Sequence, residues 1–204
     1  RLWVSAQDYR EDLRISQEIL NHLIEAYRKI RNTSRFLLSN LYDFNPDVHR
    51  VPYEQLPELD RWALMRLGEL IAKVRRAYDD FEFHTIFHAV NNFCSVDLSA
   101  VYLDILKDRL YTFRADSPVR RASQTVLFDI MVALAKLMAP VLSFTAEEIW
   151  LRIAFSGISI PDMATMFSRR LTASRGLLAW IVVIEPSWPV FIACSMSSAS
   201  PPRH

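Results

Sequence analysis

Arg28, Arg31 and Arg35 fall at i, i+3 and i+7, and among the residues of this chain they have the spacing best suited to chemistry. On a helix they share one stripe. A guanidinium fork grips phosphate through paired hydrogen bonds. Tyr27 and Asn32 stand beside the stripe. An aromatic ring can stack on an unpaired base, and an amide can read its edge. Tyr27, Arg28, Arg31, Asn32 and Arg35 are therefore a candidate RNA-binding face. Each also has a plainer use. An arginine can pair with a neighbouring carboxylate, Tyr27 can belong to the core, and a charged stripe can simply face water.

Other constellations carry less. His84 and His88 are four residues apart, with Asp80 and Glu82 nearby. A metal site needs a further ligand from elsewhere, and none is identified, so no metal is expected. Glu147 and Glu148 are adjacent and point to different sides of a helix, where capping and dipole compensation account for them. Cys94, among Phe93, Val96 and Leu98, reads as a buried structural thiol. Arg61 beside Trp62 is a guanidinium-on-indole contact or simply a helix start. Gly68, Gly157 and Gly176 are the only glycines, too scattered to form a phosphate cradle. No catalytic residue is expected.

The positioning elements are helical. Ser16 is the expected N-cap of a first helix over residues 17–40, with Leu23, Ile24, Tyr27, Ile30, Leu37 and Leu38 as its apolar face. Prolines 46, 52 and 57 make residues 41–57 a long connection. A second helix begins near Glu58 and buries Leu59, Trp62, Ala63, Leu67, Leu70, Ile71 and Val74. A third, over 82–107, buries Phe83, Ile86, Phe87, Val90, Phe93, Leu98, Val101, Tyr102 and Ile105. Ser117-Pro118 starts a fourth that ends near Met138. Thr145-Ala146-Glu147-Glu148 reads as a capping box for a fifth that reaches Ile153. Such helices joined by loops predict an all-α antiparallel bundle.

With 204 residues the chain is long enough for one domain with a core. The net charge of +1 means that any RNA contact must come from a local patch. Cys94 and Cys194 form no CxxC pair, so neither a zinc knuckle nor a disulfide framework is written here. The first residues lack both an initiator methionine and the order of a signal peptide, and the chain reads as cut from something longer. Character changes after residue 153. The last 51 residues contain no lysine but nine serines and five of the ten prolines. The chain therefore divides into a bundle over 1–153 and an atypical tail over 154–204, whose expected origin is an altered reading frame or a cloning junction. Its apolar run 177–184 is β-prone and too short to cross a membrane.

Several blocks together resemble the bacterial isoleucyl-tRNA synthetase family. They are Arg1-Leu2-Trp3, Arg14-Ile15-Ser16, residues 27–36, Leu59-Asp60-Arg61-Trp62-Ala63-Leu64, Asn91-Asn92-Phe93-Cys94, residues 97–111, Ala139-Pro140 and residues 144–150. They keep family order across residues 1–152. The valine, leucine, methionine and cysteine enzymes share the bundle, while Arg31-Asn32-Thr33 and the block 97–111 favour the isoleucine enzyme. The resemblance implies a helical anticodon-binding domain of the class I type, following a catalytic domain. It implies tRNA and the remaining synthetase domains as partners, a cytoplasmic location and no membrane. The family's two catalytic signatures, its editing domain and its zinc-binding cysteines are all absent from this sequence. The parent uses ATP and magnesium; this chain is expected to use neither and to be no enzyme alone. A different class remains open: a non-catalytic helical scaffold that docks protein partners or positions other synthetase domains.

Overall fold

A computed structural model describes residues 1–13 and 15–155. Arg14 and the proposed tail from residue 156 onward, with its apolar run 177–184, lie outside the described residues. Within them the architecture is an all-α bundle. The elements are α1 (Leu2–Ala6), α2 (Gln17–Ser39), α3 (Pro46–His49), a 3-10 turn (Tyr53–Gln55), α4 (Glu58–Asp79), α5 (Phe83–Asn92), a π-helical segment (Phe93–Tyr102), α6 (Leu103–Thr112), α7 (Pro118–Met138) and α8 (Ser143–Phe155).

The expected helix boundaries hold for α2, α4 and α7. The Ser16 hydroxyl accepts from the Ile19 N–H at 3.2 Å, which satisfies one of the donors that open α2. Ala26, Ile30, Thr33, Ser34 and Leu37 form its buried face. Ile24, expected on that face, is 46% exposed, because it stands about 200° around the helix from Ala26 on the buried stripe. Pro118 opens α7 as expected, although the Ser117 side chain makes no capping bond. The connection 41–57 is shaped by Asn45, whose side chain accepts from the Asp47 N–H at 2.9 Å and caps α3.

α7 is the central helix. It packs on α2, α3, α4, α6 and α8, and is buried almost all round. Val126, Leu127, Ile130, Met131 and Leu134 are fully enclosed. A helix buried on every side must also satisfy its polar groups. Arg120 does so by a two-pronged pair with Asp43 at 2.6 and 3.1 Å, and Gln124 donates to Asp43 Oδ1 at 2.7 Å and to the Asn40 carbonyl at 2.9 Å. These bonds fasten the C-terminal end of α2 to the start of α7. Burial works to raise the Asp43 pKa, but the hydrogen bonds from Arg120 and Gln124, with the charges of Arg120 and Arg121, outweigh it and hold the carboxyl below its ordinary value.

α4 ends in a left-handed residue, Phe81 at φ 59°. The Glu82 N–H reaches the Ala77 carbonyl at 2.7 Å and the Phe81 N–H reaches Tyr78 at 3.2 Å, so the helix closes with a Schellman cap and turns back into α5.

The third predicted helix is interrupted. Residues Phe93–Tyr102 are π-helical, and the Ser99 hydroxyl donates to the Cys94 carbonyl five residues back at 2.7 Å. The wider turn delays the buried face by one residue. Val101 and Ile105, expected in the core, are exposed, while Tyr102, also expected there, and Leu106 are fully buried. A second correction concerns α8. It begins at Ser143, so Thr145 is inside the helix and is not its N-cap. The Thr145 hydroxyl instead meets the Tyr27 hydroxyl at 3.1 Å and ties α8 to α2.

Candidate nucleic-acid interface

α2 presents its charged side to solvent because Ile30, Thr33, Ser34 and Leu37 face the core. Arg28, Arg31, Asn32 and Arg35 are all exposed, and Tyr27 is half-buried. The five predicted residues do not form one uniform surface. Arg28 is paired with Glu25 at 2.5 Å. Arg31 and Arg35 have no ion-pair partner among the described residues. Both line a cleft of about 510 Å³ between α2 and α8, which Tyr27, Arg28 and Asn32 do not line. Tyr27 acts at the back of this arrangement, where its hydroxyl contact with Thr145 fixes the spacing of the two helices.

Sequence reasoning missed two residues of this cleft, Tyr42 and Arg152. Tyr42 follows α2 in the connection and is 77% exposed. Its neighbour Asp43 is held by Arg120, Arg121 and Gln124, which sets the chain direction at this point. Arg152 lies one turn after Glu148 on α8, and both side chains border the cleft. Arg152 follows the last motif block, residues 144–150, by two positions, and nothing in the sequence marked Tyr42.

The interface rests on a rigid support. Asp60 is fully buried on α4, where the Tyr102 hydroxyl donates to it at 2.5 Å and Arg109 at 3.1 Å. Burial raises the Asp60 pKa, against the opposing effects of Tyr102 and Arg109. Arg66 grips Asp97 at 3.1 and 3.3 Å and so ties α4 to the π-helical segment. That segment in turn meets α2 through Thr33 and Ser99, 3.3 Å apart.

The remaining candidates are not drawn together. His88 is exposed and stacks edge-on near Phe87, and the buried Nδ1 of His84 has no hydrogen-bond partner. Among the described residues no three His, Cys, Asp or Glu side chains converge. Cys94 is buried as expected, and burial pushes its thiol up to about 12. Arg61 and Trp62 sit in the first turns of α4, with Arg61 exposed and Trp62 packed against the core. No helix among the described residues is long and apolar enough to cross a membrane.

Residues 60–190 match the family of the anticodon-binding domain of tRNA ligase. The chain belongs to this family. Over 150 residues it is 61% identical to the isoleucine–tRNA ligase of Geobacter sulfurreducens, a match covering 74% of this chain and 16% of that protein. Over 175 residues it is 55% identical to the isoleucine–tRNA ligase of Carboxydothermus hydrogenoformans, covering 84% and 19%. The isoleucine–tRNA ligase of Desulfitobacterium hafniense is 59% identical over 150 residues, covering 74% of this chain and 16% of its own length. The chain thus spans less than a fifth of the length of these curated relatives. The matches bear out the resemblance read from the motif blocks. The family match begins at the buried Asp60 of this anticodon-binding domain, so α2 and its arginines precede it.

Proposed function

We propose that this anticodon-binding domain holds the anticodon stem-loop of an isoleucine-accepting tRNA, as part of an isoleucine–tRNA ligase. The observation that carries the reading is the pair of exposed, unneutralised arginines on α2, Arg31 and Arg35, in a chain of this family. Arg28, Arg31 and Arg35 pair with backbone phosphates. Asn32 reads a base edge beside them. Tyr27 has a positioning part, since its hydroxyl is engaged with Thr145 and its ring is half-buried.

The parent reaction attaches isoleucine to its tRNA in the cytoplasm and uses ATP and magnesium. Those steps belong to the remaining synthetase domains, because this sequence has neither catalytic signature and no glycine-rich phosphate cradle. The chain alone is therefore a binding module and takes no cofactor. A second reading, a surface that positions another domain, is favoured by Phe144 and Val4. Both are strongly exposed, and the Arg1 guanidinium lies 5.9 Å from the Phe144 ring centre.

The test is binding of the chain to an isoleucine tRNA anticodon stem-loop and to one with a scrambled anticodon, at two salt concentrations. Tighter binding to the true loop that weakens with salt is expected. Equal or absent binding would leave the chain a positioning scaffold, with recognition residing elsewhere in the parent.

A further inference from the structure

The cleft between α2 and α8 has features that a solvated helix face does not need. It holds about 510 Å³ and is bordered by Arg31 and Arg35 from α2, Tyr42 from the connection, and Glu148 and Arg152 from α8. Arg31, Arg35 and Arg152 bring three guanidinium groups to one opening, and none has an ion-pair partner among the described residues. Glu148 is the one carboxylate among the residues bordering it. Like charges gathered without partners repel one another, and a polyanion relieves that repulsion. The floor is apolar, from Leu38, Leu41, Ile149 and Ile153. An apolar floor, a cationic rim and an exposed aromatic ring match the two halves of a nucleotide: a flat base with a π-face, and a phosphate.

We propose that this cleft receives one unpaired nucleotide of the bound RNA loop. The base lies on the apolar floor and stacks on Tyr42, and Arg31, Arg35 and Arg152 hold the phosphates on either side. Glu148 accepts a hydrogen bond from an N–H of the base, which favours a base with an exocyclic amine or ring imino donor over one presenting only acceptors. The inference rests on the anticodon-loop reading above and adds α8 and Tyr42 to it. Its geometry is preformed. The Tyr27–Thr145 contact sets the gap between the helices, and the Asp43 network holds the chain beside Tyr42.

The experiment measures affinity of the full chain for the anticodon stem-loop, for wild type and for Arg31→Ala, Arg152→Ala, Tyr42→Ala, Tyr42→Phe and Glu148→Gln. All four side chains are exposed or at the rim, and circular dichroism checks that each variant is folded. Tyr42→Ala should weaken binding about tenfold, the effect of losing one base–aromatic stack, and Tyr42→Phe should restore it. Arg152→Ala should weaken binding severalfold and lower the slope of log affinity against log salt by about 0.7, one single-strand phosphate contact. A loop with an abasic nucleotide at the docked position should make Tyr42→Ala silent. Should Arg31→Ala weaken binding while Arg152→Ala and Tyr42→Ala leave it unchanged, the cleft proposal is overturned and the α2 face stands. Failure of the wild-type chain to bind the stem-loop overturns both.

Discussion

Arg28 and Arg31 are three residues apart on one helix, yet their surroundings differ. Arg28 has Glu25 as a partner, and Arg31 opens onto the cleft with no partner among the described residues. Arg31→Ala should therefore cost about 1–3 kcal/mol of RNA affinity with the helix content unchanged. Titration by fluorescence anisotropy checks this, and unchanged affinity would remove Arg31 from the site. A second residue-scale prediction concerns Asp129 on α7. Burial pushes its carboxyl up from 3.8 to about 6, despite the Arg50 guanidinium at 2.7 Å. The folded value lies above the unfolded one. Its contribution to stability is therefore complete below pH 4 and is lost as pH rises through 6. Asp129→Asn removes that loss. Chemical denaturation at pH 3.5 and 7.5 should show the variant gaining about 1–3 kcal/mol on wild type across that interval. A constant difference at both pH values would place the carboxyl near its ordinary value.

The π-helical segment decides what its helix buries. The sequence reading places Val101, Tyr102 and Ile105 inside together; with the wider turn Tyr102 stays inside and Leu106 joins it, while Val101 and Ile105 turn to solvent. Tyr102 thereby reaches the fully buried Asp60 on α4. The motif blocks around residues 59–64 and 97–111 contained both partners, but period-counting within one helix could not pair them. Tyr102→Phe keeps the ring and withdraws a donor from a buried carboxylate, and should destabilise the fold by about 1–3 kcal/mol. Urea unfolding measures it. A cost near zero would mean that Arg109 alone satisfies Asp60. Thr145 gives the same lesson in another form. Its sequence context matched a capping box, yet the helix begins two residues earlier at Ser143. The hydroxyl then faces Tyr27 and becomes a link between helices.

Across the whole molecule the net charge is +1, so long-range attraction to RNA is weak and affinity must come from the local patch. Contact by Arg28, Arg31 and Arg35 with three phosphates predicts a slope near −2 for log affinity against log salt, at about −0.7 per single-strand contact. A slope near zero would contradict phosphate pairing. The bundle that carries this patch is organised around α7, which no periodic pattern singled out because it is buried on all sides.

The sequence by itself determined most of the helices, the cap at Ser16, the proline start at Pro118, the exposed arginine stripe and the family. These depend on local propensity and on side-chain spacing along one helix, both of which a linear pattern records. Only the tertiary structure decided that Arg31 and Arg35 face α8 while Arg28 does not, that Tyr42 and Arg152 join them, and that Tyr102 meets Asp60. Each of these depends on how two helices distant in sequence are set against one another. That setting comes from long-range contacts, such as Tyr27 with Thr145 and Arg120 with Asp43, whose partners lie 118 and 77 residues apart.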